Sequence, residues 1–202
     1  MAEIARDKTL DGLKFLLISL VIIGHAIEPS RYSCVFSSVL YSVIYSFHMP
    51  LFVMLSGFFS KNLNLSKLNR QALILMETYF VMAVIMGMLL GYGLRFVVTP
   101  SLSCWYILSL IFWRYMLYWL VEKRKCKLDK LILYSALILI VSFILPIKQG
   151  LGLLSLMRTC QFFFFFVIGY CISEEFISLL RKNSLCKIGL LTLTILCFCV
   201  IG

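Results

Sequence analysis

The apolar positions of this chain fall into seven runs divided by short polar segments. The first, Phe15 to Ile27, is interrupted only by Ser19, Gly24 and His25. The second, Cys34 to Phe59, exceeds the roughly 20 residues that cross a bilayer as a helix. Further runs cover about Ala72 to Leu94, Trp105 to Val121, Leu131 to Leu145 and Leu151 to Ile172. The last begins at Ile188 and reaches Gly202, about fifteen residues and short of a full crossing. This pattern predicts an all-α fold, a polytopic transmembrane helical bundle, read as a single domain over residues 1–202 that is incomplete at its C-terminus. Within the second run, His48-Met49-Pro50 predicts a break or kink near His48, because proline removes a backbone donor and drives the preceding residue out of the α region.

Composition agrees with the pattern: 62% of residues are hydrophobic and the mean hydropathy is +1.00. The net charge of +10 does not point to nucleic acid. The basic residues cluster between the runs, as membrane topology demands. With the N-terminus inside, the inner segments hold fourteen of the nineteen Lys and Arg residues and the outer loops only Arg31, Arg95 and Lys148. That asymmetry predicts a cytoplasmic N-terminus. Arg114 and Arg158 fall inside spans. Eight scattered cysteines form no CxxC pair and no metal-ligand spacing, and read as small apolar residues. No metal is expected. GxSxG, HExxH, P-loop and Rossmann patterns are all absent.

Candidate chemistry concentrates in the first span. Lys14 and His25 are eleven residues apart, about three helical turns, so they share a face at a separation of about 16 Å along the axis. Asp11 precedes Lys14 by three residues and Glu28 follows His25 by three, which adds both to that stripe. An ionisable group inside a membrane span is a functional-site hypothesis by default. A neutral imidazole accepts a hydroxyl proton near neutral pH, and Glu28 is placed to fix its tautomer. The bland reading makes His25 a helix-end residue near headgroups and Lys14 an anchor. Arg114 and Arg158 suit phosphate or carboxylate recognition, or a structural ion pair with Glu77. Arg70 and Lys67 read either as an inner-side anion site or as topological anchors.

Four stretches together resemble a known family. Leu10-Asp11-Gly12-Leu13-Lys14, followed after ten residues by His25, resembles the Arg/Lys-x10-His signature of the integral-membrane acyltransferase 3 family. The aromatic-rich run from Phe47 to Phe58, with Ser56-Gly57 near its end, resembles that family's second hallmark. Trp105-Tyr106-Ile107-Leu108 is similar to its Trp-Phe-Leu span start, and Phe163 to Tyr170 to its Phe-rich segment ending in Gly-Tyr.

The resemblance implies a bundle of about ten helices, of which about seven segments are present. It implies transfer of an acyl group, usually acetyl from acetyl-CoA, to a sugar hydroxyl of a cell-surface polysaccharide or its precursor, at the bacterial inner membrane, with a fucose 4-O-acetylase-like flavour. By the same resemblance His25 is catalytic, Lys14 and Arg70 serve the CoA side, and Trp105 lines the acyl path. Arg158 is grouped with them as donor-binding. The implied partners are acyl-CoA, a carbohydrate acceptor and the lipid bilayer. The competing class is a non-enzymatic polysaccharide transporter or export subunit, whose mark would be paired broken spans in two related halves.

Overall fold

The computed structural model describes residues 8–61, 64–91, 93, 95–98, 104–144 and 155–177. Among these, every regular element is helical: α1 (Lys8–Ile27), α2 (Val35–Phe58), α3 (Leu65–Leu89), α4 (Arg95–Val98), α5 (Cys104–Tyr118), α6 (Leu128–Ile144) and α7 (Leu156–Cys171). A 3₁₀ turn, Glu28–Ser30, follows α1, and a π turn, Trp119–Lys123, extends α5. Four of the helical stretches, Leu10–Ser30, Val35–Phe58, Leu65–Leu89 and Cys104–Lys123, are long and apolar enough to cross a membrane. The expected all-α membrane fold is therefore the observed one. The run from Ile188 to Gly202 lies outside the described residues.

The helices differ from the sequence expectation in several details. α3 begins at Leu65 rather than near Ala72 because Asn64, in an extended conformation, caps it: its side-chain oxygen accepts the Ser66 N–H at 3.0 Å. Lys67 and Arg70 thus ride on the first turns of a helix. α7 begins at Leu156, directly after Ser155 in the left-handed region at φ 52°; the expected start at Leu151 lies outside the described residues. Finally, α2 runs through Pro50 as one helix, so of the break or kink expected near His48 the break is not formed. A span has no water to satisfy opened backbone groups, so the loss of one donor is tolerated without a break in the helix.

The chain divides into two compact units, residues 1–52 with 173–202, and residues 53–172. In the first, the buried positions of α1 are Leu17 and Gly24, two turns apart, and those of α2 are Ile44 and His48. A Cβ on Gly24 would come within 3.0 Å of the Tyr45 ring, so the missing side chain lets α2 lay that tyrosine against α1.

In the second unit the core is built around Trp113, Leu117, Leu131, Phe163 and Phe166, all essentially inaccessible. The Trp113 indole N–H donates to the Thr159 carbonyl at 2.8 Å, and the Ser109 and Thr159 hydroxyls pair at 2.6 Å, which ties α5 to α7 through polar bonds inside an apolar layer. The last turns of α2 meet α7 backbone to backbone. A Cβ on Gly57 would overlap the Phe166 carbonyl, and one on Gly169 would overlap the Met54 carbonyl. The Ser-Gly and Gly-Tyr stretches singled out in the sequence are thus the two sides of one close helix crossing.

Candidate functional site

The described part of the first unit holds the stripe of α1. The helix is continuous from Lys8 to Ile27, so Lys14 and His25 stand on one rigid element. Lys14 Nζ lies 3.7 Å from Asp11 Oδ1, and His25 Nδ1 lies 3.2 Å from Glu28 Oε2. Glu28 reaches back although it begins the 3₁₀ turn, where Pro29 occupies an early position that needs no backbone donor.

A third group, not singled out from sequence, completes the arrangement. The Tyr45 hydroxyl sits 3.1 Å from the same His25 Nδ1. Its ring stacks on Tyr41 at 4.0 Å and meets His48 edge-on at 4.8 Å. His48 is 2% exposed, and its Nδ1–H donates to the Ile44 carbonyl at 2.6 Å. The spacing of Tyr41, Tyr45 and His48, i, i+4 and i+7 on α2, is the signal that would have found them.

The chemistry of His25 follows from these contacts. An ionised carboxylate only accepts, so facing Glu28 fixes the proton on Nδ1, shared with the phenol oxygen of Tyr45. The neutral ring then carries its lone pair on Nε2, which is the nitrogen able to accept a proton. His25 and Glu28 side chains are 30% and 39% exposed, so the pair is half-buried and accessible.

The second unit holds the other candidates. The Arg158 guanidinium lies 5.7 Å from the centre of the Trp105 ring, and Trp105 is itself buried against Phe162 at 5.5 Å. A cation over an indole face is attracted by the ring quadrupole. One helical step away, the Tyr106 and Ser56 hydroxyls pair at 2.5 Å.

Arg70 is exposed on α3, between two residues bonded to α5. The Tyr115 hydroxyl donates to Asn69 Oδ1 at 2.8 Å, and Arg114 Nη1 donates to Gln71 Oε1 at 3.1 Å. Arg114 Nε also donates to Ser60 Oγ at 3.3 Å. The ion pair with Glu77 considered from sequence is not formed: Arg114 is held by an amide and a hydroxyl, and Glu77 is on the exposed side of α3.

Cavities also open among the described residues of this unit. One of about 450 Å³ is rimmed by Trp119, Arg124, Lys127, Lys130 and Tyr134 beside the π turn. An apolar one of about 300 Å³ is lined by Met76, Leu108, Phe112, Tyr115, Leu156 and Thr159. Among the described residues, no group of three or more His, Cys, Asp or Glu side chains could hold a metal ion.

Comparison with known proteins gives a consistent picture. Over 65 residues the chain is 42% identical to the nodulation protein NolL of Mesorhizobium japonicum; that stretch is 31% of this chain and 17% of NolL. No solved structure matches. Residues 7–202 match a family described as the acyltransferase domain, a span that takes in the α1 stripe, the α2–α7 glycine crossing, Arg114 and Arg158, and the chain belongs to that family.

Proposed function

We propose that this chain is the membrane domain of an O-acyltransferase that moves an acyl group, acetyl in the simplest case, from acyl-CoA to a sugar hydroxyl of a cell-surface polysaccharide or its precursor. The reading places it in the bacterial inner membrane with a cytoplasmic N-terminus. The observation that carries it is the pair of groups on His25 Nδ1, Glu28 Oε2 at 3.2 Å and the Tyr45 hydroxyl at 3.1 Å, which together make Nε2 a base.

In this reading His25 Nε2 takes the proton of the acceptor hydroxyl as its oxygen attacks the thioester carbonyl. A C–O bond forms, the C–S bond breaks, and the proton on Nε2 passes to the departing CoA sulfur. Glu28 holds the tautomer and stabilises the imidazolium formed midway. Lys14 and Arg70 supply positive charge for the donor's phosphates, and the Trp105–Arg158 pair supplies an aromatic surface and a cation for the acyl arm. A thioester is already activated, so orientation, one proton acceptor and exclusion of water suffice, and no metal is required.

The test is acetyl transfer from labelled acetyl-CoA to saccharide acceptor by the full chain in membranes, normalised to inserted protein. His25→Ala removes proton abstraction and should lower the rate by about 10²- to 10⁴-fold while CoA still binds. Lys14→Ala should weaken CoA binding as well as turnover. Near-normal transfer by His25→Ala would remove the histidine from the chemistry.

A further inference from the structure

Arg114 occupies the eleventh position of the twenty-residue stretch Cys104–Lys123, far from either end of a candidate span. Its side chain reaches Ser60 Oγ, just past the end of α2, and Gln71 Oε1, in the second turn of α3. Both are neutral. The acidic residues with ion-pair partners are placed elsewhere: Asp11 with Lys14, Glu28 with His25 and Glu122 with Lys125. Among the described residues, no carboxylate pairs with this guanidinium. Dipoles orient a cation without neutralising it, and an uncompensated cation within a candidate span is by default a functional-site hypothesis.

The surroundings are rich in donors. Gln71 must turn its oxygen toward Arg114, so its amide NH₂ becomes a further donor. Asn69 likewise presents its oxygen to Tyr115, and Arg70 stands between the two amides on α3. Ser60 spends its own proton on the Ser56 carbonyl at 2.8 Å, which leaves its oxygen lone pairs to Arg114. A planar guanidinium with five N–H groups, only two of them in these bonds, matches phosphate geometry.

We infer that Arg114, with Gln71, forms an anion site that takes a phosphate, either from the diphosphate arm of the acyl donor or from an anionic phospholipid headgroup. The donor form rests on the acyl-CoA reading above; the anion site itself does not.

The full chain in phosphatidylcholine nanodiscs tests this by direct binding. CoA is compared with pantetheine, which lacks the phosphates, and retention of phosphatidylglycerol is read by native mass spectrometry. Gln71→Glu is the decisive variant. It is nearly isosteric and sets a carboxylate beside the guanidinium, so it should keep or raise the thermal midpoint while it occupies the site from within. Loss of the CoA-over-pantetheine preference by tenfold or more in Gln71→Glu and Arg114→Gln assigns the phosphate to the donor. Unchanged CoA binding with tenfold less retained phosphatidylglycerol assigns it to lipid. If neither ligand responds to either variant, or the unaltered protein binds neither, the inference is overturned and Arg114 is only a tie between helices. Should Arg114→Gln fail to fold, Gln71→Glu alone carries the result. His25→Ala, read in the same assay, keeps CoA binding; its effect on transfer judges the acyltransfer chemistry separately.

Discussion

In the proposed mechanism the imidazole of His25 works through the contacts on one nitrogen, and those contacts can be removed singly. Tyr45→Phe keeps the stack on Tyr41 and the fit against Gly24 but deletes the hydroxyl 3.1 Å from Nδ1. The net worth of such a bond is about 0.5–1.5 kcal/mol, so transfer should fall by roughly 2- to 10-fold. Glu28→Gln removes a charge-assisted partner worth about 1.5–3 kcal/mol, and the expected loss is roughly 10- to 150-fold. Equal losses in the two variants, measured as acetyl transfer, would show that charge is not what holds the tautomer. At this scale the sequence revealed the ends of the stripe and missed its middle partner. Lys14, His25 and Glu28 stand out because ionisable groups are rare in apolar runs. Tyr45 carries a weaker mark, its i, i+4, i+7 spacing with Tyr41 and His48, which points to His25 only once its neighbour on another helix is known. His48 was legible only as the companion of Pro50, whereas the fold makes it a buried support for Tyr45.

Helices α2 and α7 depend on two residues without side chains. A methyl group at Gly169 would enter the Met54 carbonyl, and one at Gly57 the Phe166 carbonyl, so neither clash can be relieved by turning a rotamer. Gly169→Ala and Gly57→Ala should each destabilise the protein by about 1–3 kcal/mol through overpacking. Gly12→Ala is the contrast, because nothing lies within 4 Å of its added Cβ, and helix propensity favours alanine by about 0.8–1.0 kcal/mol. Thermal unfolding in detergent, followed by intrinsic fluorescence, should separate the two classes; a Gly169→Ala protein as stable as the original would contradict the backbone contact. The existence of α1, α2, α3, α5 and α6 was readable from apolar run length, since a span has to be long and apolar. Their ends were not. The start of α3 depends on the side chain of Asn64 and that of α7 on the left-handed Ser155, local devices that apolar periodicity does not register. The four-residue α4 is too short to carry any periodicity, and Val97 in it is fixed by a tertiary bond, the Tyr79 hydroxyl to its carbonyl at 2.5 Å.

Across the whole molecule, the order of crossings can be tested with two native cysteines. Cys34 stands exposed in the turn before α2, and Cys126 is half-buried in the turn after the π extension of α5. Between them lie α2, α3 and α5, each long enough to cross when the π turn is counted with α5. An odd number of crossings sends the two thiols to opposite faces. The excess of Lys and Arg in the segments assigned to the inside, including Lys123 to Lys130, predicts Cys126 in the cytoplasm and Cys34 outside. Cys34 is also a favourable reporter. Backbone N–H groups of Ser37 and then Phe36 stabilise its thiolate and hold the thiol below its ordinary pKa. With a depressed pKa, the thiolate fraction survives further down in pH, so labelling of Cys34 should decline less between pH 8 and pH 6.5 than labelling of free glutathione does. In variants that keep one of the two cysteines and carry serine at the others, a membrane-impermeant maleimide on spheroplasts should mark Cys34 at once and Cys126 only after permeabilisation. Labelling of both from one side would refute the crossing count, since an even number of spans would then separate them. The reverse assignment, Cys126 outside and Cys34 inside, would keep the count and overturn the orientation, and it would move the cation-rimmed cavity at Arg124, Lys127 and Lys130 away from the compartment that holds acyl-CoA.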